Sequence, residues 1–234
     1  MLSYELRSTH SPGGQNVAKR TTSQPAADPS VLLGTFITFE GCDGAGKSTQ
    51  AAMLKSRLDT EGKDAILVRE PGGTPIGSRI RELLLEPGAS VAPVTEALLF
   101  AADRAQQVKD VIKPALRKGK IVISDRFVDS SLAYQGVGRG CGLEPVKNLN
   151  DWATGGLEPN LTVFLDMSVE DGLARVAGRE LDRIEREKRE FHENVRYAYS
   201  MLQRIYSYRY ITVDATGTPE MVHQRVFHEV SKII

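Results

Sequence analysis

The sequence predicts a three-layer α/β/α fold built on a five-stranded parallel sheet, and three observations carry the prediction. Short apolar runs of strand length alternate with stretches that read as helix from Thr35 to the C-terminus. One of those runs, Lys120-Ile-Val-Ile-Ser124, is almost continuously apolar, as a parallel strand covered on both faces must be. A glycine-rich turn, Gly41 to Ser48, joins an apolar strand to a helix.

Taken in order, Thr35-Phe-Ile-Thr-Phe-Glu40 reads as the first strand, followed by the glycine-rich turn and a helix from about Ser48 to Glu61. Ala65-Ile-Leu-Val-Arg69 is the second strand. Two helical stretches follow, at about 76–86 and 94–118, and the second is expected to kink near Pro114, where a backbone N–H is missing. Lys120–Ser124 is the third strand, Leu161-Thr-Val-Phe-Leu165 the fourth and Tyr210-Ile-Thr-Val213 the fifth, with helical segments between and after them. Neither an internal repeat nor a second domain is visible, so residues 34–234 are expected to form one domain. Residues 1–33 are rich in Ser, Thr, Pro, Gly and Gln and lack periodicity, and they read as a disordered N-terminal extension. They hold no apolar h-region of a secretory signal. Their few basic residues, Arg7, Lys19 and Arg20, are interrupted by Glu5 and Asp28, which gives a transit peptide little support; a start site assigned too far upstream is the third reading.

The 234 residues, 41% apolar and 26% charged, suffice for one ordinary globular core. The formal net charge is zero and the pI near 6.9, which argues against a protein that coats nucleic acid or an anionic membrane. Neither is an expected partner. Two cysteines, Cys42 and Cys141, make neither a disulfide framework nor a zinc site, so a reducing, cytoplasmic setting is expected. No apolar run approaches the length that spans a bilayer.

Gly41-Cys42-Asp43-Gly44-Ala45-Gly46-Lys47-Ser48 matches G-x-x-x-x-G-K-[ST] in full, in its required place between strand and helix. Glycines let backbone N–H groups turn inward around phosphate oxygens, and the helix N-terminus adds partial positive charge. Lys47 is expected to reach the β- and γ-phosphates of ATP, and the Ser48 hydroxyl to ligate Mg²⁺. This loop makes the chain a P-loop NTPase by fold, and by itself it says only that a nucleoside triphosphate binds.

The third strand ends in Asp125-Arg126. A carboxylate at the carboxyl end of a strand near a phosphate loop is placed to hold Mg²⁺, directly or through water, and Arg126 can fork onto a phosphate. Both serve a reaction in which catalysis is mainly positioning and charge neutralisation. Arg175-Val-Ala-Gly-Arg179-Glu-Leu-Asp-Arg183 carries three arginines at four-residue spacing that would share a helical face. Spacing alone divides evenly between a lid over ATP and a solvated helix with Arg–Glu pairs.

Four segments together resemble bacterial thymidylate kinase from about Thr35 to the C-terminus. They are Phe39-Glu-Gly-Cys-Asp-Gly-Ala-Gly-Lys-Ser-Thr49, Arg69-Glu-Pro-Gly-Gly-Thr-Pro75, Leu99-Phe-Ala-Ala-Asp-Arg-Ala-Gln106 and Asp125-Arg-Phe-Val-Asp-Ser-Ser-Leu-Ala-Tyr-Gln135. The last is far more specific than the loop. The resemblance implies phosphorylation of dTMP to dTDP by ATP with Mg²⁺, in a cytosolic homodimer. It implies that Asp43 binds the sugar 3′-hydroxyl, that Phe100 stacks on thymine, and that Arg104 contacts the O4 edge with Arg81 nearby. Ser131 and Gln135 would complete polar contacts, Tyr134 would fill the space of a ribose 2′-hydroxyl, and Arg126 would bridge the two phosphates. An aromatic face suits a flat base, and a planar guanidinium suits a carbonyl edge or a phosphate. On spacing alone, Phe100 and Tyr134 would equally be core residues of helices.

The chain departs from the family pattern at four places. Ser78 stands where a carboxylate is usual, Gln107 where His is common, and Phe127 where Tyr usually follows Asp-Arg; Gly178-Arg179 inverts the usual Arg-Gly. Gly44 occupies a loop position where some members place an arginine, so another cation, expected in the lid at about 175–186, must cover the transferring group. The expected catalytic set is Lys47, Asp125, Arg126 and Arg179, with Arg175 or Arg183 as alternatives to Arg179. A kinase of another nucleotide or deoxynucleoside, and a nucleotide-binding module without turnover, are the competing readings.

Overall fold

In the computed structural model, which describes residues 31–234, strands β1 (Phe36–Glu40), β2 (Ala65–Arg69), β3 (Ile121–Asp125), β4 (Leu161–Asp166) and β5 (Tyr210–Asp214) pair in parallel in the order β2-β3-β1-β4-β5. The expected fold class is borne out. Residues 1–30 of the expected tail lie outside the described residues. Alternation along β1 sorts its side chains between two cores. Ile37 and Phe39 pack with Leu54 and Leu58 of α1 (Lys47–Thr60) and with Val222, Val226 and Val230 of α9 (Pro219–Val230). Phe36 faces the other way, into a cluster with Val122, Ile112, Leu116 and Phe127.

The helices on that second face are α3 (Pro93–Gln107), which continues through a π-helical stretch, Val108–Ile112, into α4 (Lys113–Arg117). The kink expected near Pro114 takes the form of this wider turn. The Lys113 N–H donates to the Val108 carbonyl, five residues back, so the strain ahead of the proline spreads over one expanded turn. α2 (Pro75–Leu85) begins at its proline, one residue before the expected start, because Pro is pre-set for the first helical position; Thr74 caps it by accepting from Gly77 N at 3.0 Å.

After β3 the chain forms α5 (Val128–Ser131), a second π-helical stretch (Leu132–Gly138) and α6 (Leu143–Thr154). α7 (Val169–Val176) follows β4, and α8 (Arg189–Ile205) brings Val195, Tyr199 and Leu202 against Phe164 and Tyr210. A buried polar seam joins this face to the sheet: Arg209 grips Asp129 with two hydrogen bonds, at 2.6 and 2.9 Å, and Thr162 with a third at 2.6 Å. The register sets Arg69 beside Asp125 and Phe39 beside Asp125, so the carboxyl ends of β2, β3 and β1 come together at one edge of the sheet.

Candidate active site

At that edge lies a cavity of about 530 Å³, where ligands of open α/β sheets bind. Seven basic side chains line it against five carboxylates, so a chain of zero net charge still offers anions a positive pocket.

The phosphate loop forms its floor. Gly44 and Gly46 hold φ of 78° and 90°, left-handed values that a glycine adopts without strain. α1 starts at Lys47 with no side-chain cap and no acidic residue in its first turn, so the positive end of the helix is left for a ligand. Lys47 is buried, its Nζ donating to the Cys42 carbonyl at 2.6 Å. Burial and the nearby Arg126 charge lower its pKa to about 8. Of the loop residues expected to bind ATP, Asp43, Gly44, Gly46, Lys47 and Ser48 line the cavity, while Gly41, Cys42 and Ala45 lie beneath it. Ala45 is in the core, and burial pushes the Cys42 thiol up to about 11.

Ser48 Oγ donates to Asp125 Oδ2 at 2.5 Å, across from α1 to the end of β3. A hydroxyl and a carboxylate are the hard oxygen donors that Mg²⁺ takes. Among the described residues no three His, Cys, Asp or Glu side chains converge as a metal cage. The fit is therefore to a cation that draws its other ligands from phosphates and water.

Arg126 sits at φ 75°, the one non-glycine residue at positive φ among the described residues. That conformation costs of order 1–3 kcal/mol and must be held by its surroundings. Its guanidinium pairs with Asp43, donates to Ser130 Oγ at 3.1 Å and to Tyr134 OH at 3.2 Å, and lies 4.9 Å above the Tyr134 ring. Tyr134 in turn donates to Asp43 Oδ2 at 2.9 Å. Burial would raise the Asp43 carboxyl, but Arg126 and Lys47 outweigh it and hold the group below its usual range. Behind Arg126, the fully buried Glu40 accepts from Phe127 N at 2.8 Å, Ser130 Oγ at 2.5 Å and Tyr199 OH at 2.9 Å. Those bonds grip the residues just past the strained position. Glu40 was not singled out by sequence; its signal is a carboxylate closing an otherwise apolar strand.

The other half of the cavity adds an aromatic ring and polar groups. Phe100 is half-buried on α3 with its ring in the wall, and Ser131, Tyr134 and Gln135 come from α5 and the π-helical stretch after it. Arg104, 1% exposed, uses four of its five N–H groups. Nε donates to Glu70 at 2.7 Å, Nη1 to Ser131 at 2.9 Å and to Asn150, and Nη2 to the Phe127 carbonyl at 3.0 Å. Arg81 donates to the Pro71 carbonyl at 2.9 Å and also lines the wall. Arg69 and Glu70 join the site without having been assigned a role by sequence.

The chain matches the family model for thymidylate kinase over residues 39–226. It belongs to the thymidylate kinase family. Among its relatives, a thymidylate kinase of Halothermothrix orenii is 50% identical over 203 residues, covering 85% of this chain and 97% of its own. One from Caldanaerobacter subterraneus subsp. tengcongensis is 46% identical, covering 87% and 98%. The crystal structure of thymidylate kinase from Ehrlichia chaffeensis superposes with a TM-score of 0.71 at 31% identity, covering 84% of this chain and 98% of its own. As a thymidylate kinase by family, the protein is an enzyme, a phosphotransferase.

The departures from the thymidylate kinase pattern have structural reasons. Phe127 packs edge-on against Phe36 at 4.9 Å in the core, where a phenol would need a partner. Gln107 Nε2 donates to the Arg69 carbonyl at 2.9 Å, close over Gly73. Ser78 Oγ reaches the Gly72 carbonyl at 3.3 Å. A Cβ at Gly44 would stand 2.0 Å from the Gly172 carbonyl, and one at Gly172 would stand 2.4 Å from the Asp43 carbonyl. Loop and α7 touch backbone to backbone, which leaves no room for an arginine at 44.

The segment expected as a lid departs from its expected form. Arg175, Arg179 and Arg183 do not share a helical face, because α7 ends at Val176. Asp182 starts a separate turn: its side chain accepts from the N–H groups of Ile184 and Glu185, each at 2.9 Å, and Glu185 reaches back to Asp182 N at 3.1 Å. This reciprocal cap competes with continuing the helix. Asp182-Arg-Ile-Glu185 was its sequence signal. Arg179 and Arg175 line the cavity; Arg179 pairs with Glu185, and Arg175 donates to the Ala215 carbonyl at 3.2 Å. Arg183 points elsewhere, to the Leu84 carbonyl at 2.9 Å and Glu96 at 2.6 Å.

Proposed function

We propose that the protein transfers the γ-phosphoryl group of ATP to the phosphate of dTMP, giving ADP and dTDP, and that the loop Gly41–Ser48 serves both substrates. The observation that carries this is Asp43. It belongs to the phosphate loop, yet it is tied to Arg126 and Tyr134, which face the half of the cavity holding Phe100 and Gln135. Donor and acceptor thus meet across one side chain.

In this reading Lys47 and the open amides of α1 hold the ATP phosphates, and Arg126 lies between the two phosphates as charge moves from one to the other. Ser48 and Asp125 would hold Mg²⁺, which when bound neutralises phosphate charge. Asp43 accepts from the sugar 3′-hydroxyl. Phe100 stacks on thymine, and the N–H of Arg104 Nη2 not used within the protein serves the O4 edge, with Arg81 alongside. Ser131 and Gln135 complete the polar contacts. Tyr134 fills the room of a 2′-hydroxyl. Arg179 supplies the lid cation once its pair with Glu185 opens, because it is exposed on the cavity wall and paired within its own segment, whereas Arg175, also exposed there, is tied to the Ala215 carbonyl.

The protein works in this reading as a cytoplasmic homodimer. Apolar side chains exposed on the neighbouring helices α2, α3 and α6, including Leu83, Leu98 and Trp152, support pairing. No helix among the described residues is long and apolar enough to cross a membrane.

A coupled ADP-release assay over a panel of nucleotides tests the function. Turnover fastest with dTMP is expected. Faster turnover of UMP or AMP would move the protein to another acceptor, and no turnover at high enzyme concentration would favour a binding module.

A further inference from the structure

Glu96, in the first turn of α3, is fully buried and takes hydrogen bonds from three directions. Gln135 Nε2 donates at 2.8 Å from the wall of the cavity. Arg139 Nε donates to both oxygens at 3.2 Å, just past the π-helical stretch. Arg183 Nη2 donates at 2.6 Å from the segment after α7. The contacts continue outward from there. Arg183 is also fixed by Nε to the Leu84 carbonyl of α2, and Arg139 pairs with Glu187 at the far end of the same segment.

The stretch from Arg179 to Lys188 is therefore anchored at two places, and both anchors lead to one carboxylate. Arg183 is 10% exposed at its side chain, against 54% for Arg179, so one arginine is an anchor and the other is at the tip. A single buried negative charge shared by two guanidiniums cannot be weakened toward one partner without changing its hold on the others. Gln135 is the partner that faces the cavity. With Nε2 given to Glu96, the amide presents its oxygen to a ligand.

We propose that Glu96 is a positioning residue that seats the 179–188 segment on the acceptor pocket, so that dTMP held against Gln135 stabilises the seated segment. The proposal rests on the acceptor reading given above. Binding of the acceptor then readies the cation-bearing tip over the donor side, and without the seat Arg179 is presented to the cavity only part of the time.

Limited trypsin digestion followed by mass spectrometry tests it, because Arg179 and Arg186 are exposed cleavage sites. In the unaltered protein dTMP should slow cutting after Arg179 and Arg186 by about tenfold. Glu96→Gln should cut faster without ligand and lose that protection, with kcat down about tenfold, both read well below its thermal midpoint, which loss of the charge between Arg139 and Arg183 should lower. If Glu96→Gln does not fold, Arg183→Met removes the segment's side of the same contact and is read the same way. In the double variant the loss in kcat should not exceed that of the worse single variant. Protection retained by the variants, no protection in the unaltered protein, or additive losses would overturn the proposal. ADP release with dTMP in the unaltered protein is scored separately: turnover without protection sinks the seat alone, and absence of turnover sinks the acceptor reading.

Discussion

Lys47 is held in an environment that disfavours its own charge. Burial and Arg126 bring its pKa to about 8, while Asp43 and Asp125 pull the other way. Only the ammonium form can neutralise phosphate, so kcat/KM for ATP, which reports the free enzyme, should fall about tenfold per pH unit above roughly pH 8. Bound phosphates favour the ammonium, so kcat should hold to higher pH. A pH–rate profile checks this, and a flat kcat/KM through pH 9.5 would contradict it. Lys47→Ala should lower kcat by about 10²-fold or more, through loss of charge at the transferring group; near-normal kcat would remove Lys47 from its role. Tyr134 makes a second test. Its ring packs edge-on to Phe191 at 6.0 Å and Tyr199 at 6.5 Å, while its hydroxyl holds Asp43. Tyr134→Phe keeps the ring and should cost about tenfold in kcat/KM for dTMP while leaving ribonucleotide rejection intact. A smaller residue should relax that rejection, as measured by the ratio of kcat/KM for dTMP and its ribose counterpart. The residues facing phosphate were legible because their motif has fixed spacing. Glu40 and Glu96 were not, because a buried carboxylate that only accepts from neighbours has no local pattern: its partners come from Ser130 and Tyr199 in one case and Gln135 and Arg183 in the other.

Strands and long helices were legible because their period and caps are local. The five strands fall within about a residue of where the apolar runs place them, and the Thr-Pro pairs at 74–75 and 218–219 open α2 and α9. The segment after α7 was misread because four-residue spacing of arginines mimics a helix face, while α7 ends at Val176 and Asp182 and Glu185 cap each other in a separate turn. The contact between α7 and the phosphate loop was invisible, since it requires two glycines 128 positions apart in sequence, Gly44 and Gly172, to meet in space. That contact sets where the segment after α7 begins. A methyl at 172 would stand 2.4 Å from the Asp43 carbonyl, which is backbone and cannot swing aside. Gly172→Ala should therefore push α7 off the loop, raise KM for ATP and lower kcat together, each by several-fold to about tenfold, as steady-state kinetics would measure. Unchanged kinetics would show that α7 accommodates the methyl without moving the loop.

At the scale of the molecule, the alternation of strand and helix implied a parallel sheet but not the order β2-β3-β1-β4-β5, and it is the order that brings Glu40, Asp125 and Arg69 to one edge. Placing charged groups where the layers meet has a consequence for stability. Burial, reinforced by Asp129, raises the Glu40 carboxyl from 4.5 to about 7, against hydrogen bonds from Ser130 and Tyr199 and the charge of Arg126. A carboxyl raised on folding holds its proton in the native state over a range where the unfolded chain has released it. Its contribution to stability is thus fully present below about pH 4.5 and is lost as pH rises toward 7. Glu40→Gln cannot titrate and supplies a flat reference, while keeping the shape of the site. The difference in unfolding free energy between the unaltered protein and Glu40→Gln should shift against the unaltered protein between pH 5 and pH 7.5, then level off. Denaturant unfolding at half-unit intervals measures it, and parallel curves across that range would show that Glu40 is ionised in the folded protein throughout. The same variant should lower kcat at every pH, because Glu40 grips Phe127 and Ser130, just past the position that holds Arg126 at φ 75°. Stability and catalysis therefore part company at Glu40: ionisation of the group that costs the fold also strengthens its hold on the strained arginine.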